Sequence, residues 1–193
     1  MTVHDALLAR LPVTLELSIE ALTLALLLAV PIGVLAALRP GSRLDLALSA
    51  LSVTTLSLPN FLLGILLIFI FAVNLRWLPS AGYVPLTQDP GQHFRGMILP
   101  VITLAAAYAG SFARFARSRM LDVLSEDYLR TARAKGLQQW LVLRRHAGRN
   151  ALIPLVTLVG VEMAGLFGGA VVTETIFSLP GLGSHTLGVP LSR

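Results

Sequence analysis

Long apolar segments separated by short polar ones dominate the pattern of this chain. A spanning helix needs roughly 20 mostly apolar residues, because each residue rises about 1.5 Å and the hydrocarbon core of a bilayer is about 30 Å thick. The pattern predicts four spans, at 12–38, 46–73, 97–114 and 151–173. The third is short unless its helix continues into water through the basic stretch that follows. The predicted fold class is all-α, a polytopic membrane protein.

The composition supports a membrane protein over a soluble one. Hydrophobic residues make up 55% of the chain and charged residues 13%, with a mean hydropathy of +0.77. The net charge of +5 could attract nucleic acid. However, the basic residues lie at the ends of apolar segments, so we expect no nucleic-acid partner. The absence of cysteine excludes disulfides, thiolate nucleophiles and cysteine-ligated metals.

The positions of the basic residues predict the orientation, since short cytoplasmic connections are enriched in them. The first connection has Arg39 and Arg43, and the second has only Arg76 and Arg95. Nine basic residues lie between the third and fourth spans: Arg114, Arg117, Arg119, Arg130, Arg133, Lys135, Arg144, Arg145 and Arg149. We therefore expect the first and third connections to be cytoplasmic.

One cytoplasmic stretch, SEDYLRTARAKGLQQW at 125–140, has the sequence of a short polar helix. Ser125 is a suitable N-cap, Glu126 follows it at the positive end of the helix dipole, and Gly136 is placed to end the helix. A helix over 126–135 is therefore predicted within a loop at about 114–150.

Leu129, Ala132 and Gly136 recur at helical spacing and form a narrow face of apolar and small residues beside a rim of arginines. The same stripe would suit a helix lying on anionic lipid headgroups or one docking on a protein partner. The spacing alone leaves both alternatives open.

The same stretch resembles a known signature. DYLRTARAKGL followed by LRRHAGRNALIP is similar to the cytoplasmic loop of permease subunits of bacterial ATP-binding-cassette (ABC) importers, in the dipeptide, oligopeptide and nickel permease group. RLPVTLELS, LAALRPGSRLD, SLPNFLLGILLIFIFAV and GGAVVTETIFSLPGLG also agree, so the resemblance covers about 10–183 and is nearest to the first of the two permease subunits. It implies a single transmembrane domain over 1–183, followed by a divergent tail at 184–193, in a multi-pass protein of the inner membrane.

The resemblance implies that the short helix is a coupling helix, seated in a cleft of an ATPase subunit. Carried over position by position, the contact with the ATPase would use Glu126, Tyr128, Thr131, Ala132, Arg133, Ala134, Gly136 and Leu137.

The implied assembly contains ABC ATPase subunits, a second homologous permease subunit and an extracytoplasmic solute-binding protein. Together they would import peptides or a related small solute. No phosphate-binding glycine loop or nucleophile elbow occurs in the sequence, so we expect no catalytic residue and no cofactor in this chain, with ATP hydrolysis in a partner. The alternatives are a transport-incompetent fragment that acts only as a binding partner, and an ATP-independent channel or secondary transporter.

The chain departs from the family pattern at both ends. Members of the group have a further span before the segment that matches RLPVTLEL. They also have a final span after the segment that matches LPGLG. The expectation is a permease truncated at both ends, or a divergent short form.

Several residues inside the predicted spans carry candidate roles. Glu162, near the middle of the fourth span, could line a pathway or could be a hydrogen-bonded carboxylate between helices, and we favour the second. Gly160, Ala164 and Gly168 recur every four residues, which favours close packing against the paired subunit or another span of this chain.

The polar residues near the predicted outer surface give no site. Glu16 and Glu20 lie one turn apart and are expected to be solvated by water or headgroups. The histidines, at 4, 93, 146 and 185, have no metal-ligand spacing, so no metal site is predicted.

Overall fold

The structure, a computed structural model, describes residues 3–129 and 147–183. All regular secondary structure in these ranges is helical, which confirms the predicted all-α fold class. The elements are α1 (Val3–Leu38), α2 (Arg43–Ser57), α3 (Asn60–Leu67), a π-helix (Ile68–Asn74), α4 (Pro90–Leu124) and α5 (Arg149–Phe177).

Three helices among the described residues are long and apolar enough to cross a membrane, at Arg10–Leu38, Pro90–Leu124 and Arg149–Phe177. The pair Arg43–Thr55 and Asn60–Asn74 makes a fourth if it is counted as one broken span. The break falls at Pro59, which has an extended backbone (φ −61°, ψ 136°) and precedes α3. Proline lacks an amide hydrogen, so it fits the start of a helix better than its interior.

Helix α4 is longer than the predicted third span of 97–114. It begins seven positions earlier, at Pro90, and continues to Leu124. The basic stretch after Ala113 therefore continues the helix. This continuation was expected because the apolar run alone is short for a spanning helix. Pro100 lies inside α4 without ending it.

Contacts between residues group the chain into two compact units. The first unit comprises 1–24, 58–107 and 164–193, and the second comprises 25–57 and 108–163. The connection between α3 and α4, predicted to lie outside the cell, belongs to the first unit. The predicted cytoplasmic connections belong to the second.

The first unit is built around buried apolar side chains from several helices. The largest fully buried ones are Leu17, Leu99, Leu104, Phe177 and Leu179. Gly64 of α3 lets the chain approach closely, since a Cβ there would lie 3.3 Å from Thr103 Cγ2 and 3.5 Å from Phe177.

The second unit relies on small residues for close helix packing. Ala25, Ala29, Ala36 and Ala37 of α1 are buried. A Cβ on Gly33 would lie only 2.4 Å from the carbonyl oxygen of Ala113, so the backbones of α1 and α4 touch there. Small residues allow such approach in membrane helices, where van der Waals packing replaces the hydrophobic driving force.

Candidate functional sites

The second unit contains an ion pair between Asp45 of α2 and Arg117 of α4. The guanidinium of Arg117 holds Asp45 at both oxygens, with Nε donating to Oδ1 and Nη2 donating to Oδ2 at 2.7 Å. The backbone amide of Gly41 donates to Oδ2 at 2.9 Å. Gly41 has φ +74°, a left-handed conformation that favours glycine. The Asp45 side chain is 6% exposed, and its charge is matched by a fork-like donor of fixed geometry.

The predicted coupling segment begins just after α4. The Ser125 hydroxyl donates back to the carbonyl of Asp122 at 2.7 Å, in place of the cap predicted for the next helix. Helical residues resume at Asp127, one position later than predicted, and run to Leu129 at the edge of the described range. The amide of Leu129 donates to the carbonyl of Glu126 at 3.1 Å.

Leu129 faces the interior of its own chain. It is fully buried and packs with Ala37, Met120, Ala147 and Ala151. The prediction that Leu129 shares an outward contact face with Ala132 and Gly136 is therefore wrong, because the Leu129 side chain is buried against its own chain.

Two predicted contact residues lie on the surface beside Leu129. Glu126 and Tyr128 are both exposed, and the Asn150 side-chain amide donates to the Tyr128 hydroxyl at 3.0 Å. The remaining predicted contact residues lie outside the described residues: Thr131, Ala132, Arg133, Ala134, Gly136 and Leu137.

The small residues of α5 are open. Gly160, Ala164 and Gly168 are exposed, and a Cβ added at Gly160 or Gly168 would meet no atom of residues 3–129 or 147–183 within 4 Å. Packing of these glycines against another described span of this chain is therefore excluded. Glu162 is half-buried.

A second carboxylate on α5, Glu174, is fully buried. Thr14 Oγ1 donates to its Oε1 at 2.5 Å, and the amide of Gly183 donates to its Oε2 at 2.8 Å. A Cβ on Gly181 would lie 2.1 Å from Glu174 Cδ, so the turn after α5 wraps directly around the carboxylate. Sequence reasoning missed this residue because the predicted span ended one position earlier, at Thr173.

The first unit brings Glu16, Glu20 and His93 together, and we call these three residues the acid–histidine cluster. One ligand atom from each can be chosen so that all lie within 4.8 Å of one another. Glu16 and Glu20 are partly buried on α1, and His93 is 1% exposed near the start of α4. The expectation that the glutamates are simply solvated is therefore wrong, because α4 places an imidazole against them.

Hydrogen bonds fix this cluster from one side. The Tyr83 hydroxyl donates to Glu16 Oε2 at 2.8 Å, and Nδ1 of His93 lies 2.8 Å from the carbonyl oxygen of Val84. Burial and the adjacent Glu16 carboxylate raise the pKa of Tyr83 to about 12. Nε2 of His93 is buried and makes no hydrogen bond within the described part of the chain, although it lies 3.2 Å from Glu16 Oε1.

Three consecutive loop residues bind three different helices of the first unit. The amide of Gly82 donates to the Phe177 carbonyl at 3.2 Å, at the end of α5. Tyr83 binds Glu16 of α1, and Val84 binds His93 of α4. Gly82 has φ +106°, which L side chains rarely adopt, so this path of the loop depends on glycine.

Comparison with known proteins identifies the family. The model of the family described as "Binding-protein-dependent transport system inner membrane component" matches residues 29–190. The chain belongs to this family. The family predicted from the loop signature is thereby confirmed, as is a multi-pass location in the bacterial inner membrane.

Relatives of this transport family match along most of the chain. A probable peptide ABC transporter permease protein, y4tP of Sinorhizobium fredii, is 44% identical over 90% of this chain and 56% of its own length. The oligopeptide transport system permease protein AppB of Bacillus subtilis is 43% identical over 94% of this chain and 58% of its own. The glutathione transport system permease protein GsiC of Salmonella choleraesuis is 45% identical, over 94% and 56%.

This chain thus spans a little over half the length of these curated relatives. Among solved structures, the fold is similar to the crystal structure of an amino acid ABC transporter with histidines. The TM-score is 0.67, with 96% of this chain and 81% of that chain covered. At 18% sequence identity, this likeness shows a shared fold and nothing about substrate.

Proposed function

We propose that this chain forms part of the membrane pathway of an ATP-driven importer for peptides or a related small solute. The observation that carries the proposal is 43–45% identity to permeases named for peptide, oligopeptide and glutathione transport, over 90–94% of this chain. Such a permease works by alternating access, in which an ATPase partner moves the transmembrane helices. ATP hydrolysis belongs to that partner.

Coupling to the ATPase is proposed to run through the segment that begins at Glu126. The support is its anchorage: Leu129 is buried among residues of α1, α4 and α5 in the second unit, and Asn150 holds Tyr128. A segment fixed in this way moves with the helices to which it is packed. The outward residues Glu126 and Tyr128 are then available to a partner.

The second permease subunit is proposed to pack along α5. Only 17% of the apolar window of α5 is buried, against 33% for α1 and 50% for α4. The open glycines at 160 and 168 allow a second helix to approach its backbone closely. Glu162 remains proposed as a structural or pathway carboxylate on the same helix, and an extracytoplasmic binding protein is proposed to deliver the solute.

Uptake of a labelled peptide by cells with and without this chain tests the function. The expected result is uptake that requires both the chain and an intact ATPase partner. Uptake that persists without any ATPase would instead support a channel or secondary transporter. Co-purification with an ATPase but no dependence of uptake on the chain would support a transport-incompetent binding partner.

The docking proposal is tested by Gly136→Trp, which adds bulk to the proposed contact. We expect loss of co-purification with the ATPase subunit, with membrane insertion unchanged. Gly91→Trp is the matched control, since Gly91 is exposed on the predicted opposite side of the membrane. Equal ATPase recovery by both variants would overturn the assigned contact.

A further inference from the structure

The acid–histidine cluster combines two carboxylates and an imidazole in one corner of the first unit. Glu16 and Glu20 are one helical turn apart, so both side chains leave α1 on the same face. His93 reaches them from α4. The predicted orientation places this corner on the extracytoplasmic side.

The protonation of His93 can be assigned from its hydrogen bond. A carbonyl oxygen only accepts, so Nδ1 must carry the hydrogen that it shares with Val84. In the neutral ring, Nε2 then holds a lone pair, and this atom is buried without a hydrogen-bond partner. Nε2 lies only 3.2 Å from Glu16 Oε1.

Such an arrangement lacks a positive charge at its centre. Two carboxylates and a nitrogen lone pair repel one another when brought this close, and burying an unpaired polar group is costly. A proton on Nε2 or a metal ion would relieve the repulsion. We infer that the Glu16, Glu20 and His93 side chains bind a divalent transition-metal ion, which takes Nε2 and one oxygen from each glutamate.

The surroundings match those of a metal-binding histidine. Metal-ligating imidazoles usually donate their other N–H to a carbonyl or carboxylate, and ligating carboxylates are themselves hydrogen-bonded. Val84 and Tyr83 occupy those two positions. Because imidazole suits zinc and its neighbours in the first transition row better than calcium or magnesium, Zn²⁺ is the appropriate probe.

The distances require only small side-chain movement. Ligand atoms around tetrahedral zinc are about 3.3–3.5 Å apart, given bonds of about 2.0–2.2 Å. The three candidate atoms lie within 4.8 Å of one another, so a contraction of at most about 1.5 Å completes the set. The Glu16 side chain is 26% exposed, which gives an ion access from water.

Zinc titration of the detergent-purified chain tests this inference, using a tag without histidines and protein first stripped with a chelator. We expect binding of about one Zn²⁺ per chain, with Co²⁺ giving the visible absorption of a low-symmetry site. Glu20→Gln and His93→Asn should each weaken Zn²⁺ binding by more than about 100-fold, and Tyr83→Phe by about 10-fold. Asp89→Asn is the control, because this substitution removes a nearby carboxylate charge. The new amide oxygen can still accept the hydrogen bond that the Gln92 backbone amide donates to Asp89.

The outcomes separate a metal site from an ion pair. Stoichiometric Zn²⁺ binding that is lost in Glu20→Gln and retained in Asp89→Asn supports the site. Absence of Zn²⁺ binding, or equal binding by wild type and Glu20→Gln, overturns it and leaves His93 paired with Glu16 alone. Glu20→Gln keeps the shape of the side chain, so the test stands even if His93→Asn fails to fold. It does not depend on transport.

Discussion

The two units surround their buried and half-buried carboxylates in different ways. In the second unit, Asp45 receives two donors from Arg117 and one from a backbone amide. In the first unit, Glu16 and Glu20 face a histidine nitrogen that makes no hydrogen bond. The first arrangement is complete within the chain, whereas the second is completed only by a proton or a metal ion.

This difference separates a structural contact from a candidate binding site. Burial and charge alone do not make the distinction, since Glu174 is buried more deeply than either glutamate and yet has donors at both oxygens. The informative feature is a polar atom that stays unmatched among atoms that could share a ligand with it. Within the described residues, the acid–histidine cluster has this feature and the Asp45–Arg117 pair does not.

The largest effect is expected from breaking the complete pair. Arg117→Met leaves the Asp45 carboxylate without its main partner, and an uncompensated charge in a packed interior is strongly destabilising. We expect the amount of folded protein in membranes to fall several-fold and the melting temperature in detergent to drop clearly.

Arg119→Met is the matched control for Arg117→Met. Arg119 lies two residues further along α4 and contacts Asp122 at 3.5 Å, with side chains that are 46% and 60% exposed. Exposed pairs contribute little, so the protein level should stay near that of the wild type. Equal losses in the two variants would show that the Asp45 pair has no special structural role.

A smaller effect is expected at alkaline pH in the first unit. The pKa of Tyr83 is about 12 in the folded chain and about 10 in an unfolded one. The unfolded state therefore loses this proton first, and the contribution of Tyr83 to stability, complete below pH 10, is lost as the pH rises from about 10 to 12.

Tyrosinate absorbance checks this pH dependence, because the chain has only three tyrosines. Tyr83→Phe should remove a component that ionises near pH 12 and weaken the alkaline loss of stability. Tyr128→Phe, at an exposed position, should keep that component. An alkaline titration that Tyr83→Phe leaves unchanged near pH 12 would contradict the contact with Glu16.

The smallest effect is expected where the second unit is open. Gly160→Ala adds a methyl group that meets no atom of the described residues, and it should stabilise α5 by about 0.5–1 kcal/mol in unfolding by denaturant. Gly33→Ala is the contrasting variant, since its methyl group would collide with the Ala113 carbonyl and should destabilise the protein. Destabilisation by both would mean that α5 is packed at Gly160.

The long helices were predictable because spanning a membrane sets a minimum apolar length that the sequence displays directly. The break at Pro59 was harder, since 46–73 contains no charge and a proline alone can be accommodated within a span. The fourth span was predicted to end at Thr173, whereas α5 continues to Phe177. Glu174 therefore lay just outside the predicted span and was not considered.

The polar contacts were not predictable from spacing. Asp45 and Arg117 lie 72 positions apart, and Tyr83 and Glu16 lie 67 apart, so each pair meets only through helix packing. Sequence patterns report neighbours along one helix and not those on another. The loop signature, in contrast, identified the family because it is local, although the contact residues after Leu129 remain a prediction.

The three adjacent attachments at Gly82, Tyr83 and Val84 limit how the first unit can move. Since each residue holds a different helix, any sliding of α1, α4 or α5 past another must strain or release at least one of these hydrogen bonds. A change in the hydrogen bonds of this loop therefore reports a displacement of one of these helices. Hydrogen exchange at the Gly82 amide, which is protected only while its bond to Phe177 persists, would record each such movement without a label on the helices themselves.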